Sequence, residues 1–195
     1  MEKVKDVNNN SRQNNFFQVC RKCRFNCCQK AGPPITSKRK KIIENYLVAR
    51  GYRIENPFDK TTYTFLRETS GGFCILFDKE TGKCLVHSVK PETCVAGPIT
   101  FDINLQTGKI EWFLKSESIC PLAGILYKDK GALEKHLSWA KIELQTLVHE
   151  LDSEALCAIL KIEEPETFKV GEDSLGPDFL EKITKNRFSH CTPYK

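Results

Sequence analysis

Four thiols fall within nine residues near the start of the chain, Cys20-Arg-Lys-Cys23-Arg-Phe-Asn-Cys27-Cys28. Two residues between Cys20 and Cys23 let both sulfurs turn toward one ion, the spacing of a thiolate knuckle. Cys27 and Cys28 are adjacent, so their side chains diverge unless the backbone bends sharply. Both serve as ligands most easily when they address different metals, or different irons of one cluster. Cys74, Cys84, Cys94 and Cys120 follow, the first three at even ten-residue steps. Eight of the ten cysteines thus read as one metal-binding constellation. Two zinc ions with four thiolates each would be saturated and structural. A four-iron cluster would use four thiolates and leave the others for a second centre. Spacing does not pair the eight into sites.

The remaining candidates read as structural. Cys157 lies among Leu156, Ala158 and Ile159, the context of a core thiol, and Cys191 reads as a free tail thiol. His87, three residues after Cys84, is either a packing residue, the preferred reading, or a spare ligand or support for one. Lys90-Pro91 sets the turn before Cys94, where the lysine either helps hold a thiolate's charge or is simply part of a solvated turn. His136 and His149 fall on different faces of one helix and do not read as ligands. Asp102 and Glu111 face each other across an expected hairpin, but a carboxylate pair without a pocket is no ground for acid–base catalysis. No catalytic residue is assigned, and whether the chain is an enzyme stays open.

The 195 residues suit one domain with its own core. Apolar content of 40% and charged content of 28% are those of a soluble globular protein. No apolar run is long enough to span a bilayer, so no membrane partner is expected. Met1 to Asn15 is polar and asparagine-rich, which reads as a disordered tail and not as a secretory signal. The expected compartment is the reducing cytoplasm, where ten cysteines favour metal over disulfides. The net charge of +5 includes Arg21, Lys22, Arg24 and Lys30 beside the first thiols, where cations offset thiolate charge. Nucleic acid is therefore not an expected partner, and the basic run Lys38 to Lys41 is expected to be a solvated face. A protein partner is left open.

Around these thiols the expected class is α+β, a small cysteine-linked sheet region flanked by helices, with a helical C-terminal part. The first cysteines are expected in a loop closed by Gly32-Pro33-Pro34. Thr36 or Ser37 caps a helix to Arg50, stopped by Gly51, with Ile42, Ile43, Tyr46 and Leu47 as its buried face. Residues 62–66 and 73–77 read as strands, and 78–82 as a turn into Cys84. Residues 98–105 and 109–114 read as a hairpin around Gln106-Thr-Gly108. Leu133, Leu137, Ala140, Leu144, Leu147 and Leu151 repeat at helical spacing. Their seam packs on its own domain in the preferred reading; otherwise it joins a dimer, so monomer and dimer both stay open. Asp152 caps another helix to Leu160, ended by Pro165, and a last short helix starts at Pro177. The organisation is a tail over 1–15, a cysteine-cluster domain with helices over 16–165, and an extension over 166–195. The stretch from Cys20 to Cys120 has few long apolar elements and is expected to lean on metal for its fold.

The pattern Cys20-x2-Cys23-x3-Cys27-Cys28, then Cys74, then Cys84-Leu-Val-His87-Ser-Val-Lys90-Pro91-Glu-Thr-Cys94, resembles the YkgJ-like cysteine-cluster proteins. The likeness runs from Cys20 to about Cys120. Family members often have two residues between the second and third cysteines and an arginine after the position of Cys94. Here there are three, Arg24-Phe25-Asn26, and Val95. The resemblance implies a zinc- or iron-chelating domain, and some members carry an iron–sulfur label. A flagellin lysine N-methylase contains a similar domain, but nothing outside the cysteines here supports methyl transfer. The expected function is a cytoplasmic metal-binding protein that holds an iron–sulfur cluster or zinc through Cys20, Cys23, Cys27, Cys28, Cys74, Cys84, Cys94 and Cys120. Iron–sulfur stands ahead of zinc on the adjacent cysteines and the family labels. A redox or protein-modifying role is left open. The alternative is a structural zinc domain acting as an interaction or nucleic-acid-binding module.

Overall fold

The structure is a computed structural model of the chain. It describes residues 19–20, 22–23, 27–164 and 166–185, with side chains up to 181. The expected tail over 1–15, the helix stop at Pro165 and the tail thiol Cys191 lie outside the described residues. The architecture is α+β, with small antiparallel sheets and a helical C-terminal part.

Helix α1, Ser37–Ala49, begins where Thr36 Oγ1 accepts the Arg39 N–H at 3.0 Å. It ends with the Tyr52 N–H on the Leu47 carbonyl and Gly51 at φ +70°, a conformation that glycine adopts without strain. Ile43 and Leu47 are buried. Ile42 is not part of that face: it is 39% exposed, one residue round the helix.

The segment after α1 is built from very short strands. β1, Phe58–Lys60, pairs with β2, Thr64–Leu66, and β3, Phe77–Asp78, pairs with β4, Lys83–Cys84. Residues 73–77 do not form the single strand expected. Cys74 makes only an isolated bridge to Glu68, and the chain turns so that the Phe77 N–H meets the Cys74 carbonyl at 2.9 Å. Ile35, Ile43, Leu47, Leu66, Cys74, Leu76 and Val86 form a small core beneath.

A larger core begins with β5, Ile99–Asn104, and β6, Lys109–Lys115, the expected hairpin. Buried Ile110, Trp112 and Leu114 alternate with half-buried residues along β6, the mark of a sheet packed on one face. β7, Thr167–Ser174, adds to the far side of β6. No alternation announces it in the sequence, because it mixes Gly171 and charged residues on an edge. Helix α2, Glu92–Ala96, precedes this sheet; α3, Pro121–Lys128, α4, Lys130–Glu150, α5, Ser153–Leu160, and α6, Pro177–Lys185, follow in chain order. Asp152 caps α5 through the Ala155 N–H at 2.8 Å. Ala140, Leu144 and Leu147 of the α4 seam are buried in the same core as Ile110 and Trp112. Cys157 is disulfide-bonded, which corrects its reading as a core thiol.

Leu144→Ala opens a cavity in this core and should cost about 2–5 kcal/mol. Ile142→Ala, two residues away but 63% exposed, should stay within about 0.5 kcal/mol. Urea titrations of the two variants check the contrast.

Candidate metal centre

Backbone pairing brings the distant cysteines together. Residues 28–30 run antiparallel to 72–74: the Cys74 N–H donates to the Cys28 carbonyl at 2.6 Å and the Lys30 N–H to the Gly72 carbonyl at 2.7 Å. Phe77 then faces Cys84 across the β3–β4 hairpin, and the Leu85 N–H meets the Leu76 carbonyl at 2.9 Å. The Cys74 sulfur accepts the N–H of Leu76, and the Cys84 sulfur that of Val86, each two residues along. Such N–H groups stabilise a thiolate over a thiol. Cys94 rides on α2. The Cys23 N–H donates to the Cys20 carbonyl at 3.2 Å, and residues 19, 20 and 22 are helical, where a loop was expected. Cys120 is the N-cap of α3 without a side-chain cap hydrogen bond; the Leu122 and Ala123 N–H groups at the positive end of the helix favour its thiolate.

The thiols feel one another's charge. Burial pushes Cys94 up to about 12 and Cys74 up to about 11, with the neighbouring thiols adding to the rise. Cys20, Cys84 and Cys120 are raised for the same reason. Cys27 goes the other way. The Cys28 thiol donates to its sulfur, Lys90 and Lys115 add positive charge, and Cys27 falls to about 6. Cys28, as the donor, is held as a thiol. Half-buried Lys90 lowers Cys20, Cys27, Cys84 and Cys94 alike, the role that its place before Cys94 implied. His87 lies at the surface in a 3-10 turn, and partial loss of solvent around its ring, with Lys90, holds it below the usual imidazole range. His136 lies on α4, where its Nε2–H donates to the carbonyls of Ala96 at 3.0 Å and Gly97 at 3.1 Å. The ring fastens α4 to the end of the helix that bears Cys94.

A buried polar network fixes the other end of that helix. Glu92 is 1% exposed; its carboxylate accepts from Thr36 Oγ1 at 2.6 Å and lies 3.7 Å from Arg39 Nε. Arg39 also donates to the Lys90 carbonyl at 3.1 Å and pairs with Glu143 of α4. One guanidinium thus ties α1, α2 and α4 together. Arg39 belongs to the run expected to be a solvated face, and its position inside the fold corrects that expectation. The sequence hid these roles, since Thr36, Arg39, Glu92 and Glu143 belong to separated segments with no shared motif. Burial raises the Glu92 carboxyl above its usual range, against the Thr36 hydrogen bond and Arg39.

None of the eight sequence-predicted thiols is in a disulfide. Among the described residues, no three or more Cys, His, Asp or Glu side chains already converge as ligands of one ion. The donor set nevertheless has the chemistry of a soft-metal site: several thiols in mutual electrostatic reach, N–H groups at Cys74 and Cys84, a helix start at Cys120 and a lysine among them.

The model of a family called CxxCxxCC, described as "Putative zinc- or iron-chelating domain", matches residues 19–121. The chain belongs to this family, the YkgJ-like cysteine-cluster proteins. An uncharacterized protein of Methanocaldococcus jannaschii is 28% identical over 151 residues, covering 70% of this chain and 74% of its own length. No solved structure matches. Among the described residues no helix is long and apolar enough to cross a membrane.

In reduced, metal-free protein at pH 7, Cys27 should react with iodoacetamide well before Cys74 and Cys94, and its rate should reach half its maximum near pH 6. Stability follows the same signs. Cys27, lowered from 9.0, contributes stability that is present above pH 9 and lost as pH falls through about 6. Cys94, raised from 9.0, withdraws stability as pH rises from 9 to about 12. Mass-spectrometric mapping of alkylation across pH checks the order; equal rates at the three cysteines would contradict it.

Proposed function

We propose that this chain is a cytoplasmic metal-binding protein whose centre is iron–sulfur, held by Cys20, Cys23, Cys27, Cys28, Cys74, Cys84, Cys94 and Cys120. The observation that supports the reading is the charge coupling among thiols from five separate segments, Cys20, Cys27, Cys84 and Cys94 of them also feeling Lys90, in a chain of the family described as a zinc- or iron-chelating domain. Burial against mutual repulsion costs free energy that a bound cation offsets. Bound iron would supply one-electron chemistry or a rigid fold-holding centre; the chain's own residues supply the thiolates, the N–H groups and the lysine. That none of the eight thiols is in a disulfide supports a reducing compartment, whereas the Cys157 disulfide pulls against it. A second reading, a zinc domain serving as a protein-interaction module, is favoured by the exposed apolar side chains Val48, Tyr127, Trp139 and Ile142.

Anaerobic purification, metal analysis and a visible spectrum test the first reading. The expected result is a brown protein whose absorbance bleaches on reduction. A colourless protein with zinc moves the case to the second reading, and a protein without metal overturns both.

The two cores make a further expectation sharper than the sequence allowed. β5 and β6 belong to the larger core, so metal removal should loosen residues 27–94 first. Amide exchange after chelation under reducing conditions should rise there while β6 and α4 keep protection. Unchanged protection across 27–94 in verified metal-free protein would show that the small core stands alone.

A further inference from the structure

We infer that Cys157 is bonded to Cys191, and that this disulfide is a redox-sensitive clip on a C-terminal strap made of β7 and α6. The inference stands apart from the metal-binding reading and asks nothing of the eight thiols beyond their being in no disulfide.

The number of cysteines fixes the partner. The chain has ten. Cys157 is disulfide-bonded, and the eight sequence-predicted thiols are in no disulfide. Cys191 alone is left to supply the second sulfur. The chain is long enough to bring it there. Phe179 of α6 is buried in the larger core against which Cys157 packs. Its ring meets that of His149, near the end of α4 and just before α5, with the ring centres 5.1 Å apart. α6 ends at Lys185, and the six residues from there to Cys191 reach up to about 20 Å.

The strap is lightly held by its other contacts. Among the described residues from 167 to 181, Phe179 is the only buried side chain. β7 is an edge strand, paired with β6 on one side. Its ion pairs, Lys109 with Glu172 and Lys169 with Glu111 and Glu172, lie at the surface, where such pairs contribute little. What the strap covers is the centre of the core. Trp112 is fully buried, and its indole N–H donates to Asp173 of β7 at 2.6 Å. A Cβ on Gly171 would stand 3.6 Å from Trp112 Cδ1, so β7 passes directly against that ring. Leu180 of α6 lies against Gly108 in the β5–β6 turn, and the Leu175 N–H donates to the Gly108 carbonyl at 2.9 Å. Lifting the strap bares Trp112 and the edge of β6, an open template for another strand.

The ring closed by the 157–191 bond contains β7 and α6 entire. With the bond made, a lifted strap is still tied at both ends and gains less chain entropy, which lowers the opening equilibrium on the order of 10²-fold. A dithiol reverses this by attack of its thiolate on the bond. Two electrons pass to Cys157 and Cys191, each takes a proton and leaves as a thiol, and the dithiol closes to its own disulfide. Cys157 is half-buried at the surface of the core, within reach of such a reagent.

The test starts from the full chain purified without reductant, blocked with iodoacetamide in denaturant and digested with trypsin unreduced. The expected product joins peptide 142–161 to peptide 188–195, and a phosphine should release the two. Cys157 recovered alkylated, or joined to any other cysteine, would overturn the pairing. Amide exchange of the folded protein then reads the clip. Exchange over 167–185 should be on the order of 10²-fold faster in phosphine-reduced protein and in Cys191→Ser than in the oxidised wild type, while α4 keeps its rates. Equal exchange over 167–185 in oxidised and reduced protein would overturn the clip. The wild-type comparison decides both points even where Cys191→Ser fails to fold. Metal content enters neither readout, so failure here leaves the iron–sulfur reading to its own test.

Discussion

The mutual charge coupling of the eight ionisable sulfurs is the constraint on which the rest of this structure depends. Each thiolate raises the cost of ionising the next, and burial raises it further. The chain answers with Lys90 among the sulfurs, Lys115 near Cys27, N–H groups at Cys74 and Cys84, and a helix start at Cys120. These devices partly offset the negative charge that eight thiolates would carry. Protons can make up the deficit, as the raised values of Cys74 and Cys94 show, or a metal can. The preference of the fold is therefore for a cation at this place.

The elements around the thiols follow from the need to deliver them. A cysteine held by a two-residue strand is poorly fixed by that strand alone, because such a strand has few ladder bonds. Here the strands lean on the chain before Pro34, on α1 and on Val86. Cys94 is handled differently. Its helix has only five residues, too short to be stable by itself. The Thr36–Glu92–Arg39–Glu143 network grips one end and His136 the other. A buried carboxylate and guanidinium add little net stability, but breaking one partner leaves a charge stranded. Such a network therefore fixes position more than it adds strength.

The thiol set, the 98–114 hairpin, the Thr36 and Asp152 caps and the α4 seam were legible in the sequence because each is local, with its signal inside one short window. Residues 73–77 read as a strand but are not one, because the apolar residues around Cys74 serve a turn and not a ladder. β7 stayed hidden because an edge strand with Gly171 and charged neighbours lacks alternation. Glu92 and Arg39 were illegible for another reason: a buried ion pair between residues 53 apart in the chain leaves no pattern in either segment. Cys157 read as a core thiol because its neighbours are apolar, and apolar neighbours do not distinguish a thiol from a disulfide.

The placement of the thiols between two cores of unequal size bears on what a metal would do mechanically. The larger core holds Trp112, Leu144, Leu147 and Leu156, enough buried side chains to resemble an ordinary small domain. Among the described residues the smaller has seven buried, one of them Cys74 itself. Ordering a residue costs on the order of 1–2 kcal/mol of backbone entropy, so a core of that size cannot fix the loops around it by burial alone. Its tethers to the rest of the chain are α1, through Arg39, and the cysteines. Metal bonds to those cysteines would act where the hydrophobic contribution is least. A thiolate centre here would thus be a joint between a self-sufficient body and a dependent one, and its occupancy would govern the order of the dependent one.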